Sequence, residues 1–129
     1  MTESRRPRVL LADDNAGILL AFDRLLRSAC DVVGRVSDGG ALLDAATTLQ
    51  PDVVVLDVFM PNIAGLETYS RILQLAPQTK IVVVTAADDE SIKEQALSAG
   101  ASAFVAKTRV VDELLPAIQR VLAKSASTV

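Results

Sequence analysis

Histidine and tryptophan are absent from the 129 residues, and cysteine occurs once. Without histidine there can be no Ser-His-Asp or Cys-His machinery, no imidazole general base and none of the usual zinc sites. With Cys30 alone, no internal disulfide can form, and its apolar neighbours mark it as a small core residue. Aromatic residues make up only 3%, so the core has to be built from Val, Leu, Ile and Ala. No apolar stretch approaches the ~18 residues of a membrane span, and the first residues lack a signal-peptide core. The expectation is a protein of the reducing cytoplasm with no membrane partner. The net charge is −3, against the basic footprint of a phosphate-backbone binder. The one basic cluster, Arg5, Arg6 and Arg8, reads as an exposed N-terminal tail.

Half of the residues are hydrophobic, enough for one full core, and the length fits one domain over 1–129. Residues 1–7 and 125–129 read as loose ends around a core of 8–124. Short apolar runs at 8–12, 31–36, 52–57, 80–84 and 103–106 predict five strands. Three of these (8–12, 52–57 and 80–84) are nearly continuous Val/Leu/Ile, the composition of strands covered on both faces of a parallel sheet. Helical spacing separates them: Ile18, Phe22, Leu25 and Leu26; Leu42, Ala46 and Leu49; Leu114, Ile118, Val121 and Leu122. Segment 88–99 has only Ile92, Ala96 and Ala99 as its stripe, and alanines bury little area, so this helix should dock least firmly. Asp88, Asp89 and Glu90 place negative charge in its first turn, where the macrodipole favours it. Pro116 removes a backbone hydrogen bond unless the last helix begins near Asp112. Five strands alternating with five helices make a doubly wound α/β fold, whose binding site lies beyond the C-terminal strand ends.

The chemistry-bearing residues collect at those ends. Asp13 and Asp14 follow Val9–Ala12, Asp57 closes Val53–Leu56, Thr85 follows Ile81–Val84, and Lys107 follows Ala103–Ala106. Two carboxylates about 4 Å apart repel by roughly 4 kcal/mol at an effective dielectric of 20. Three of them at one sheet edge call for a hard divalent cation, and Mg²⁺ prefers carboxylate oxygens and substrate phosphate. Helix capping is the competing reading for the acidic pair, although Asp14 or Asn15 alone could cap. Asp57 can attack phosphorus to give an acyl phosphate, with the Lys107 ammonium offsetting the charge and the Thr85 hydroxyl reaching a phosphoryl oxygen. Phe104 reads as a core aromatic.

Taken together, Asp13-Asp14, Asp57 with Met60-Pro61 and Gly65, Thr85-Ala86 and Lys107 make residues 8–124 resemble the receiver (response-regulator) domains of bacterial two-component signalling. The resemblance implies a flavodoxin-like sheet of strand order 2-1-3-4-5 and phosphoryl transfer from a sensor histidine kinase onto Asp57. It also implies Mg²⁺ on Asp14 and Asp57 directly, on Asp13 through water, and on the backbone carbonyl of Phe59. Thr85 and Phe104 would form the switch pair. Helix 88–99, strand 103–106 and the last helix would form the output face, with homodimerisation on phosphorylation. Catalysis would be limited to the protein's own phosphorylation and dephosphorylation. Gly100–Phe104 and Lys107-Thr108 with Glu113-Leu114-Leu115 look most like the NarL/LuxR group, whose receivers usually precede a helix-turn-helix DNA-binding domain. None lies within these residues, so the chain reads either as a solitary receiver or as one cut at a linker that 125–129 would begin, in which case DNA contact is expected only through an absent C-terminal domain.

Two departures from the family pattern stand out. Thr108 occupies the position after the lysine where many receivers have proline, which leaves the isomer of that peptide bond open. Phe59 and Ala87 flank the incoming water in this family and are apolar here, which implies a long-lived phosphoryl group. Two other functions compete. An aspartate-nucleophile phosphatase or hydrolase would need a second acid at position 59, where Phe59 stands. A docking-only degenerate receiver would have no use for the intact acidic set and Lys107.

Overall fold

A computed structural model describes residues 6–57, 67–86 and 90–126, with the side chains of 124–126 outside the description. The elements alternate throughout: β1 (Arg8–Ala12), α1 (Ala16–Leu26), β2 (Asp31–Val36), α2 (Gly39–Leu49), β3 (Val53–Asp57), α3 (Glu67–Leu75), β4 (Lys80–Thr85), α4 (Glu90–Ala99), β5 (Ala103–Ala106) and α5 (Val110–Ala126), with a 3₁₀ turn at Lys107–Arg109 before α5. All strand pairs are parallel, in the order β2-β1-β3-β4-β5. This is the flavodoxin-like order expected of the sequence, and the strand limits differ from the expected ones by one residue at β3 and β4.

Alternation along each strand divides the core into two layers, because successive side chains point to opposite faces. Val9, Leu11, Val53 and Val55 face α1 and α5, whereas Leu10, Val54 and Leu56 face α2, α3 and α4. The central strands are therefore apolar on both sides. Each fully buried Leu or Ile contributes about 1.5–3 kcal/mol.

The two helices flanking β5 differ in how firmly they dock. α5 buries Leu114, Ala117, Ile118 and Val121, while α4 buries Ala96 alone, as its alanine stripe foretold. Pro116 sits six residues into α5. It and Asp112, whose carbonyl loses the intrahelical donor, are both exposed, so water can take the missing bond. In α1 the stripe is Leu19, Phe22 and Leu26, with Ile18 and Leu25 only partly buried. α3, for which no stripe was named from the sequence, buries Thr68, Tyr69 and Ile72.

The tail reading holds only in part for the arginine cluster: Arg5 lies outside the described residues, Arg6 is exposed but tied down, and Arg8 belongs to the sheet. Arg6 donates to the carbonyls of Arg27 and Cys30. Arg8 lies in β1 and donates to Leu49 O at 2.8 Å and Gln50 O at 3.0 Å. Both arginines therefore satisfy carbonyls at helix C-terminal ends, where cations are favoured. Gly100 ends α4 at φ +123°, and a Cβ there would lie 2.8 Å from Leu73 Cδ1, so only glycine meets both demands.

Candidate functional site

Parallel register brings the polar residues together. Asp57 pairs with Val84, next to Thr85, and Thr85 pairs with Ala106, next to Lys107. The three strand ends thus present carboxylate, hydroxyl and ammonium side by side. On the other flank, Asp13 follows β1, and its N–H donates to Val36 O of β2 at 3.1 Å.

The capping reading of the acidic pair does not hold. The N-cap of α1 is Asn15, whose Oδ1 accepts from the Ile18 N–H at 3.0 Å. Asp13 Oδ1 accepts from the Asn15 N–H at 2.9 Å, which pins the Asp13 carboxylate through the local turn. Asp13, Asp14 and Asp57 each place a carboxylate oxygen within 4.8 Å of the others. Asp13 and Asp57 are buried, whereas Asp14 is exposed.

Lys107 Nζ lies 2.7 Å from Asp13 Oδ2 and 3.2 Å from Asp57 Oδ2. The Asp57 contact is a directed hydrogen bond. The Asp13 contact is the closer of the two, and the ammonium is the ion-pair partner of the buried Asp13 Oδ2, which has no other donor among the described residues. Burial lowers the Lys107 pKa, but Asp13 and Asp57 outweigh it and the net shift is upward. The ammonium is therefore charged throughout the neutral range.

Thr85 is fully buried. Phe104 is half-buried against the α2–α3–α4 layer. Phe104 lines two clefts, one of about 220 Å³ between α4 and the start of α5, with Glu90, Lys93 and Glu113, and one of about 330 Å³ against α5, with Asp112, Pro116 and Arg120. Phe59, Met60, Pro61, Gly65 and Ala87 lie outside the described residues. The Lys107–Thr108 peptide bond is trans.

One neighbour of the site escaped sequence reasoning. Tyr69, in the first turn of α3, is buried, and its pKa is pushed up to about 12, first by burial and then by the charge of Asp57. It is the sole tyrosine of the chain, but its spacing gave no hint that it lies near Asp57.

Three carboxylates whose oxygens converge within 4.8 Å form a hard-donor set that suits a divalent cation of the Mg²⁺ class. The same edge suits phosphoryl chemistry, with a buried nucleophilic carboxylate beside an ammonium and a hydroxyl. Residues 9–119 match the model of the response regulator receiver domain. The chain belongs to that family. This receiver domain is thus part of a two-component response regulator. It is 35% identical over 118 residues to response regulator GacA of Pseudomonas aeruginosa, covering 90% of this chain and 55% of that protein. It is 36% identical over 115 residues to the transcriptional regulatory protein PdtaR of Mycobacterium tuberculosis, covering 87% and 55%. The chain therefore spans about half the length of these relatives.

Among solved structures, a LuxR-family response regulator from Aurantimonas sp. SI85-9A1 superposes with a TM-score of 0.86 at 30% identity, covering 93% of this chain and 87% of that one. The signal receiver domain of the response regulator NarL from Mycobacterium tuberculosis gives 0.79 at 29% identity, covering 90% and 98%. No helix among the described residues is long and apolar enough to cross a membrane.

Proposed function

We propose that this receiver domain is a phosphorylation-operated switch that takes a phosphoryl group from the histidine of a sensor kinase onto Asp57. A carboxylate oxygen of Asp57 attacks phosphorus as the P–N bond to the donor imidazole breaks, and the imidazole leaves carrying the proton. The Lys107 ammonium, 3.2 Å from Asp57, neutralises charge on the phosphoryl oxygens. The Thr85 hydroxyl, buried on the neighbouring strand end, donates to one of them. Asp13, Asp14, Asp57 and the backbone carbonyl of Phe59 would hold Mg²⁺, which supplies positive charge to the phosphoryl oxygens when bound.

Output follows from contacts that exist in only one of two states. Drawing the Thr85 hydroxyl toward the phosphoryl group vacates space, and the half-buried Phe104 ring turns into it. That movement changes the face made by α4, β5 and α5. The thin docking of α4 through Ala96 suits a part that shifts. A homodimer forms on that change. Residues 8–124 are the regulatory unit of a cytoplasmic transcription factor; α5 runs on to Ala126, two residues into the expected loose end 125–129, so a linker to a DNA-binding domain would begin after the helix. The half-length coverage of GacA and PdtaR supports that reading. Apart from its own phosphorylation and dephosphorylation, the domain catalyses nothing.

The observation that carries this function is the buried Asp57 carboxylate hydrogen-bonded to Lys107 within an acidic triad. Acetyl phosphate with Mg²⁺ tests it: the wild type should gain the mass of one phosphoryl group and Asp57→Asn should gain none. Equal labelling of the two proteins would overturn the assignment.

A further inference from the structure

We propose that the Tyr69 ring is the fixed wall that makes α4, and not α3, give way when Phe104 turns inward, so that Tyr69 positions the output helix. This rests on the phosphoacceptor reading above and names the side chain that turns it into movement. Leu73 marks the flank of α3 that faces α4: its Cδ1 lies 2.8 Å from where a Cβ would stand on Gly100, at the end of α4. Tyr69 precedes Leu73 by about one helical turn, so it projects from the same flank.

The level of the ring follows from helix geometry. α3 and α4 both follow parallel strands and run back toward the strand N-termini, so they lie side by side in the same direction. Each rises about 1.5 Å per residue. Four residues back from Leu73 and from Gly100 stand Tyr69 and Ala96, at one level. Both are buried in the same layer. Ala96 is the one buried residue of α4, and its methyl leaves space that a large neighbour has to fill. The ring of Tyr69 is that neighbour.

Phe104 packs against this layer too. It pairs with Val83 on the neighbouring strand, and Thr85 lies on the same face as Val83 because side chains alternate. Space vacated by the Thr85 hydroxyl therefore opens in the layer that holds Tyr69 and Ala96. Interiors are close-packed, so a ring that enters has to displace a neighbour. α3 is held by Thr68, Tyr69 and Ile72, and by the Gln50 side chain on Leu75 O at 3.0 Å. α4 has Ala96 alone buried, so it is the element that moves. Tyr69 also lies within electrical reach of the phosphoacceptor: after burial, the charge of Asp57 is the second cause of its raised pKa. The ring thus stands between the chemistry at Asp57 and the helix that reports it.

Acetyl phosphate with Mg²⁺, added to the whole chain, tests this. Labelling of Asp57 is read by mass, and amide hydrogen exchange over 90–99 is read on the same sample. Wild type and Tyr69→Phe, which keeps the ring, should both exchange faster over 90–99 once labelled. Tyr69→Val and Tyr69→Ala, checked for folding by circular dichroism, should label as fully and lose most of that change, because Phe104 enters the space they leave. Either variant showing the full wild-type change, or folding without accepting a label, would overturn the proposal. So would a labelled wild type with no change over 90–99, which leaves the phosphoacceptor assignment standing. Should neither shortened variant fold, the wild type decides: Tyr69 is the sole tyrosine in a chain with no tryptophan, and its emission should shift on labelling. Constant emission at full labelling sinks the idea. A wild type that takes no label removes the phosphoacceptor reading and this proposal together.

Discussion

The two edges of the sheet are built on opposite principles. At the edge carrying the strand N-termini, polar groups are met by partners. The Arg8 N–H donates to Asp52 Oδ2 at 2.9 Å, and its guanidinium reaches the last carbonyls of α2. Thr79 Oγ1 donates to Pro51 O at 2.6 Å, and Gln50 Nε2 donates to Leu75 O at the end of α3 at 3.0 Å. At the opposite edge, three carboxylates converge on one another, and a single ammonium pairs with two of them, Asp13 and Asp57. Satisfied polar groups make one end a rigid base. Excess negative charge at the other end, three carboxylates to one ammonium, is what a cation can offset.

The contrast can be broken at either edge. The largest expected effect is at the acidic one: Asp57→Asn abolishes labelling by acetyl phosphate, read by mass, while the fold remains. Next comes the satisfied edge. Thr79→Val leaves a buried carbonyl without its donor and should cost about 1–3 kcal/mol in denaturant unfolding, with labelling retained.

A third effect lies between the edges and appears only in alkali. Tyr69 has its folded pKa raised from 10.0 to about 12, so the folded state favours the neutral phenol. Its contribution is complete below pH 10 and is lost as pH rises through about 12. Tyr69→Phe should remove that part of the alkaline loss of stability, measured as a flatter dependence of the denaturation midpoint on pH. The smallest effect on folding belongs to Asp14→Asn. Asp14 is exposed, so stability should stay within about 0.5 kcal/mol, while the Mg²⁺ isotherm weakens. An unchanged isotherm would remove Asp14 from the ligand set.

The strands were legible because uninterrupted Val/Leu/Ile runs bounded by proline and glycine have few other uses in a chain this short. The site residues were legible because each follows such a run, and parallel strands necessarily gather their C-terminal ends along one edge. The stripe of α3, Tyr69, Ile72 and Leu73, was equally present in the spacing but was not singled out, and its buried Thr68 is polar. The exposed-tail reading of Arg6 and Arg8 held only in part because their partners lie 21 to 42 residues away, and no local pattern reports a contact of that kind.

Residue order by itself determined the fold class, the strand limits within a residue and the roster of polar groups at the functional edge, because these depend on local periodicity and on one-dimensional spacing. Folding in three dimensions decided which acid the Lys107 ammonium sits nearest, which cap releases Asp13 from α1, and that a lone tyrosine lies within reach of the charge on Asp57. Those outcomes depend on ångström-scale distances between strands and helices, and electrostatic preference changes over that range while the sequence pattern stays the same.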